Sequence, residues 1–208
     1  MLPIDLPKDE ASASQILATI DQRITEVLSK LGDGPGATVF AAIWPLSSCL
    51  EWQVLWVGDC QVTHYQSTAS VWQISWQSLA QTYKSSFTLP PPGVDLESPS
   101  NMVGCGISHA PAWYRLTARA RDRIVIASDG FHKSFTASEK LGFLQNTATP
   151  LPSETAQKWC LLARERGNQD DISVLILEIV PKIWLSSVIL LSTFALMGLV
   201  FSLYWFAR

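Results

Sequence analysis

The stretches Ile126-Ala-Ser-Asp-Gly130 and Asp170-Asp-Ile-Ser-Val174 decide how the fold of this chain is interpreted. The first ends a short apolar run, and the second opens another apolar run that continues to Ile179. Each stretch places a carboxylate at the end of a predicted buried strand, where a hard cation can draw two distant segments together. Asp-Gly is also an ordinary turn dipeptide, so either stretch alone fits a plain turn.

Two further motifs come earlier in the chain. Gly34-Pro-Gly-Ala-Thr38 precedes one apolar run, and Trp56-Val-Gly-Asp-Cys60 ends the next. In this order and spacing, the four motifs resemble the metal-dependent protein phosphatase family (PPM, the type 2C serine/threonine phosphatases) over residues 16–179. The resemblance implies an α+β fold, a sandwich of two antiparallel β-sheets flanked by helices. It also implies hydrolysis of phosphoserine and phosphothreonine by a metal-activated water.

The resemblance assigns the metal ligands. Asp129 and Asp170 match two carboxylates that family members contribute to the metal centre, and Asp171 stands where the family usually has Asn. We therefore predict a metal site at Asp129, Asp170 and Asp171. Magnesium or manganese is the expected ion, because both prefer carboxylate and water oxygens. A bridged pair of these ions can activate water toward a phosphate monoester.

Other parts of the family pattern are not matched. These parts are an Arg for the phosphate, a first acidic strand end, and an Asp-Gly-x-Gly loop whose Asp bridges the metals. The first ten residues contain Asp5, Asp9 and Glu10 without that pattern. We therefore expect weak metal binding. The alternative to an active phosphatase is a catalytically impaired pseudophosphatase, a membrane-anchored binding or assembly module.

A long apolar segment ends the chain. Residues 183–207 contain no Asp, Glu, Lys or Arg, and at 1.5 Å per residue a helix of this length crosses a bilayer. Lys182 and Arg208 bracket the segment, and Trp184 and Trp205 lie near its ends, as expected at membrane interfaces. We predict a single transmembrane helix here; the alternative is a buried C-terminal helix.

The first ten residues do not have the basic start and apolar core of a signal sequence, so the globular domain is predicted to be cytoplasmic. The predicted organisation is a tail at residues 1–10, a phosphatase-like domain at 11–180 and the transmembrane helix at 183–207. The expected partners are a phosphoprotein substrate or a regulatory protein, and the membrane. A net charge of -3 without a basic stripe argues against nucleic acid.

The secondary structure follows from periodicity and breakers. An apolar stripe with helical spacing predicts a helix over residues 16–31, capped by Ser12 or Ser14. A loop with the position of the family's variable flap is predicted from residue 89 to 106. The Arg-rich stretch 115–123 is either a solvated hairpin face or an anionic-ligand patch. The remaining predictions are strands at residues 38–44, 51–57, 61–65, 71–75 and from 172, helices at 137–146 and 154–166 with Ser153 as N-cap, tryptophans packed in the core, and His132 close to the cleft of Asp129.

Overall fold

Two antiparallel sheets and flanking helices form the molecule in a computed structural model that describes Pro7 and residues 9–31, 39–46, 50–68, 71–145 and 151–180. The helices are α1 (Glu10–Leu31), α2 (Tyr83–Ser86), α3 (Asp129–Ser134), α4 (Ala137–Gln145) and α5 (Pro152–Glu165). The strands are β1 (Phe40–Pro45), β2 (Glu51–Val57), β3 (Gln61–Thr68), β4 (Val71–Gln77), β5 (Ala112–Thr117), β6 (Arg123–Ala127) and β7 (Val174–Glu178).

The two sheets pack face to face. One sheet has the order β1-β2-β5 and the other β4-β3-β6-β7. Val54 of β2, Leu116 of β5, Val62 of β3 and Ile124 of β6 share one buried cluster, which is the core between the sheets. Burial of such side chains is the main favourable term in folding, at about 25 cal/mol per Å² of apolar surface. The predicted α+β sandwich is confirmed.

Helices cover both outer faces. Leu17 of α1 packs with Leu55 and Val57 on the outer face of the first sheet. Phe131 of α3 and Trp159 of α5 pack with Val125 on the outer face of the second sheet. Because strand side chains alternate between faces, β2 and β6 each supply the central core with one set of residues and a helical layer with the other.

The predicted strands match the structure at their centres. The second strand has the predicted bounds, and the third and fourth extend further, to Thr68 and Gln77. Three elements were missed, namely β5, the short helix α2 and the short helix α3 that begins at Asp129. The stretch read as an Asp-Gly turn is therefore the start of a helix, and the Arg-rich stretch includes the end of β5 and the start of β6.

The predicted helix caps were wrong. Helix α1 starts at Glu10, and Asp9 Oδ1 accepts a hydrogen bond of 2.8 Å from the backbone N–H of Ser12. Ser12 Oγ in turn accepts from the Asp9 N–H at 3.1 Å, so the two residues form a reciprocal capping pair. Helix α5 is capped at Leu151 with Pro152 in its first turn, which places Ser153 inside the helix.

Arg123 also departs from a solvated face. Its side chain is buried, donates a hydrogen bond of 2.8 Å to Glu178 and lies over the Trp72 ring. The other arginines of the stretch 115–123 are exposed, as predicted for a solvated face.

Three predictions fall wholly or mostly outside the described residues, namely the Gly34-to-Thr38 motif, the tail at 1–10 and the transmembrane helix at 183–207. Within the described ranges, no helix combines the length and the apolar character that crossing a bilayer requires.

Candidate metal centre

Three acidic turns lie at one end of the second sheet. Strand β3 begins at Gln61, directly after Asp59, and Gln61 pairs with Ala127 at the end of β6. Ala127 also pairs with Val174, the first residue of β7. These neighbouring strands are antiparallel. The same end of the sheet therefore holds the turn before β3, the start of α3 after β6 and the turn before β7. Asp59, Asp129 and Asp170 belong to these three turns.

Hydrogen bonds hold the second and third turns together. The Ser128 N–H donates to the Ser173 carbonyl at 3.0 Å, and the Ser173 N–H donates to Ser128 Oγ at the same distance. Ser128 Oγ donates to the Asp171 carbonyl at 2.9 Å. Residues 128 and 171–173 are therefore fixed side by side, although more than forty positions separate them in the sequence.

Gly130 makes this approach possible. A Cβ on residue 130 would lie 2.7 Å from the Asp171 carbonyl oxygen and 3.3 Å from Asp170 Cβ. The first distance is shorter than real Cβ contacts, so a side chain at this position would force the turns apart. Glycine therefore allows the carboxylates of Asp129 and Asp170 to come together.

Asn168 is a second support. Its amide nitrogen donates to the Gly130 carbonyl and, at 2.8 Å, to Ser134 Oγ. Its amide oxygen accepts from the Asp170 N–H at 2.9 Å. One side chain thus ties helix α3 to the turn that carries Asp170. Asn168 was not predicted, because two of its partners, Gly130 and Ser134, are more than thirty positions away in the sequence.

The Asp59 turn is held from the other side. Gly58 has φ +93°, a conformation that favours glycine, and its N–H donates to Gln81 Oε1 at 3.0 Å. The Gln81 N–H donates back to the Gly58 carbonyl at 2.8 Å. This pair of bonds connects the turn with the segment that follows β4.

Asp59 was not predicted as a site residue. It is only 9% exposed, and burial together with the charge of Asp129 raises its pKa above the ordinary value. The charge of Asp170 acts in the same direction, so both of these carboxylates lie near enough to Asp59 to raise its pKa. The sequence signal was the one used for the other two positions, a carboxylate close to one end of an apolar strand.

Lys133 supplies a positive charge to these carboxylates. Its ammonium lies 2.6 Å from Asp129 Oδ2, while Asp129 Oδ1 accepts the Gly130 N–H at 2.8 Å. The pKa of Lys133 is raised, first by this hydrogen bond and further by the charges of Asp129, Asp59 and Asp170. Both oxygens of Asp129 are therefore engaged by the protein itself.

The donor set suits a hard divalent cation in part. Three carboxylates are the oxygen ligands that magnesium and manganese prefer. Among the described residues, however, no three His, Cys, Asp or Glu side chains are close enough to cage a metal ion. A cation bound to Asp129 Oδ2 would have to replace the Lys133 ammonium. Asp171, the third predicted ligand, is exposed and holds the turn through its backbone carbonyl.

A pocket of about 350 Å³ opens beside Asp59 and Asp129. Its walls come from the flap side, from the second sheet and from the helices after Asp129. The lining residues are Asp59, Gln61, Gln77, Ala80, Thr82, Glu97, Asp129, His132, Lys133, Ala137 and Lys140.

The fold of this chain is similar to solved structures of serine/threonine phosphatases. The catalytic domain of the phosphatase PstP, solved with two manganese ions, matches with a TM-score of 0.63 and 20% identity over 86% of this chain and 75% of that one. PppA, described as a regulatory component of the T6SS in Pseudomonas aeruginosa, matches with a TM-score of 0.63 and 18% identity over 82% and 73%. The PPM Ser-Thr phosphatase MsPP from Mycobacterium smegmatis, in complex with cacodylate, matches with a TM-score of 0.56 and 16% identity over 78% and 72%.

The chain has a PPM phosphatase-like fold. At these identities the likeness establishes the fold alone. No family model and no curated protein matches the sequence. The fold expected from the four motifs is confirmed. The roles of Asp129, Asp170 and Asp171 as ligands stay predictions.

His132 lines the pocket of this PPM-like domain, as expected from its place after Asp129. Its Nδ1 accepts a hydrogen bond of 3.0 Å from Lys140 Nζ. Burial and the neighbouring ammonium lower the pKa of His132 to about 3. The imidazole is therefore neutral at physiological pH and accepts the hydrogen bond from Lys140 in that form.

Proposed function

We propose that this chain is a PPM-type phosphomonoester hydrolase that acts on phosphoserine and phosphothreonine side chains of proteins. The observation that carries the proposal is the convergence of Asp59, Asp129 and Asp170 at one sheet edge, beside a pocket large enough for a phosphorylated side chain. Hydrogen bonds and close packing between residues 128–130 and 171–173 bring the Asp129 and Asp170 segments together, so this part of the arrangement is fixed by the fold.

Each group has a separate task in this proposal. Asp129 and Asp170 would hold magnesium or manganese, which would supply an activated water and neutralise charge on the phosphoryl oxygens, and the nearby Asp59 would add its negative charge to the site. Gly130 and Asn168 keep the two later carboxylates in register. Burial of Asp59 lowers the local polarity, so that its charge interacts more strongly with a cation than it would in open solvent.

The test is manganese-dependent phosphate release from a phosphoserine peptide by the full-length protein in detergent. Asp129→Asn and Asp170→Asn should each reduce the rate on the order of a hundredfold, since each removes an electrostatic element of the site. Glu154→Gln, on the first turn of α5, is the matched control and should leave the rate unchanged. Turnover that is independent of manganese and of both aspartates would refute the proposal.

One observation favours a second candidate, a pseudophosphatase that binds phosphoproteins without hydrolysing them. Lys133 already neutralises Asp129 at 2.6 Å, so this carboxylate has a counter-charge without a metal. On this alternative, the protein binds the phosphoserine peptide with the same affinity in manganese and in EDTA and releases no phosphate from it. Slow turnover that requires manganese would instead favour the enzyme.

We further propose that residues 183–207 anchor the domain to a membrane, with the acidic site on the cytoplasmic side. The support is the sequence itself, since the segment contains no charged residue and is long enough to span the hydrocarbon core. The substrates would then be proteins at or near that membrane.

A further inference from the structure

Lys140 is a buried cation in the pocket wall. It lies on α4 and is only 6% exposed. Its ammonium contacts His132 Nδ1 at 3.0 Å and lies 5.5 Å from the centre of the Phe131 ring. Among the described residues, no carboxylate lies within ion-pair distance of it.

A buried charge without a counter-charge costs stability. The cost is visible here in the pKa of Lys140, which burial lowers to about 8. A neutral imidazole and the face of an aromatic ring compensate an ammonium only partly. A leucine or methionine would fill a similar volume without this cost, so packing of the core does not explain a lysine at position 140.

Two of the carboxylates in the pocket are already paired with a lysine. Asp129 is bound by Lys133, and Glu97 is bound by Lys84 Nζ. Asp59 has no ion pair among the described contacts, and it is the carboxylate that a cation on Asp129 or Asp170 would also neutralise. Lys84 and Lys133 each have a carboxylate partner, whereas Lys140 is a pocket cation without an anionic partner among the described residues.

We propose that Lys140 is the anion-binding group of this pocket and that its ligand is the phosphoryl group of a phosphorylated serine or threonine. The choice of a phosphoryl group rests on the proposed function; the need for an anion rests on Lys140 alone. His132 positions the ammonium at the wall, and the polar side chains of Gln61 and Gln77 line the same space. Charge-assisted hydrogen bonds from an ammonium are the strong bonds that phosphate oxygens form.

Binding of inorganic phosphate and of a phosphoserine peptide to the full-length protein in detergent tests the proposal, by titration calorimetry in EDTA and again in manganese. Lys140→Met should weaken binding of both ligands at least about tenfold in each buffer, because the charged donor is lost. Lys158→Met, an exposed lysine on α5, is the matched control and should bind both ligands as the wild type does. The unphosphorylated peptide should show no dependence on residue 140.

The melting temperature separates a binding role from a structural one. Lys140→Met should melt at a higher temperature than the wild type without ligand, and added phosphate should raise the melting temperature of the wild type only. A lower melting temperature for Lys140→Met would mean that the lysine supports the core, and this result would overturn the inference. Unchanged phosphate binding by Lys140→Met would overturn it as well.

The two proposals fail in different ways. Phosphate binding that depends on Lys140, without turnover in any variant, would refute the hydrolase and leave the anion site in place. Manganese-dependent turnover that Lys140→Met leaves unchanged in both kcat and KM would refute the anion site and leave the hydrolase.

Discussion

Gly130 is the residue on which the geometry of the acidic site depends most directly. Gly130→Ala should destabilise the protein by about 1–3 kcal/mol, because its Cβ would meet backbone and not a flexible side chain. The substitution should also weaken manganese binding, since it separates Asp129 from Asp170.

Urea denaturation with a manganese titration measures both effects. Gly142→Ala on α4 is the matched control, because nothing lies within 4 Å of a Cβ at that position. In the helix interior it should stabilise by up to about 1 kcal/mol. Equal effects of the two substitutions would show that the contact between the turns is not tight.

Lys133 should compete with a metal ion for Asp129. The ammonium holds Asp129 Oδ2, but the Lys133 side chain is 56% exposed and can leave at small cost. Lys133→Met should therefore strengthen manganese binding about three- to tenfold and lower the melting temperature in EDTA, where the carboxylates lose their counter-charge. Titration calorimetry on both proteins checks this. The same affinity in wild type and variant would mean that the ammonium and the metal use different oxygens.

His132 gives stability a predictable pH dependence. Its pKa is about 3 in the folded protein against an ordinary value of about 6.5, so the unfolded chain binds the proton more tightly. The contribution of the neutral imidazole is complete above about pH 6.5 and is lost as the pH falls toward 3.

Between pH 7 and pH 4 this loss should be about 1–3 kcal/mol, allowing for partial solvent access. Denaturation curves of the wild type and His132→Gln at the two pH values measure it. The free energy of unfolding of the variant should fall less over this interval than that of the wild type. Parallel curves would show that His132 does not titrate differently in the two states. The buried His64 has a lowered pKa too and contributes in both proteins equally.

At the level of helices and strands, the sequence predicts what depends on local periodicity. Strand β2 is rich in β-branched and aromatic residues and ends at a Gly-Asp turn, so its bounds follow from the sequence. Helix α1 has a long apolar stripe, and only its first turn was misplaced, because the Asp9 and Ser12 pair is reciprocal. Strand β5 was missed, because Tyr114 and Arg115 at its centre are exposed and its apolar pattern is weak. Arg123, at the start of β6, is buried against Glu178 and Trp72, although arginines usually indicate an exposed face.

The candidate site was predictable only for residues that repeat one local pattern. Asp129 and Asp170 each follow or precede an apolar strand, and Asp59 has the same pattern although it was not assigned. Asn168 and Lys140 carry no such local signal. Their importance depends on which helix packs against which turn, and this is a property of tertiary contacts.

For the whole molecule, the apolar segment 183–207 leads to a testable prediction about membrane association. Because residues 183–207 are uncharged, the full-length protein should sediment with membranes and resist carbonate and high salt, since apolar transfer and not charge holds a spanning helix. Deleting residues 183–208 should release a soluble domain that still binds manganese through Asp129 and Asp170. A matched variant that replaces Leu191 with Lys in the full-length protein should weaken insertion, because a charge near the centre of the span costs about 3 kcal/mol. If the deleted protein aggregates while the full-length protein is soluble without detergent, the segment belongs to the folded core, and the proposal of a membrane-anchored phosphatase loses its anchor.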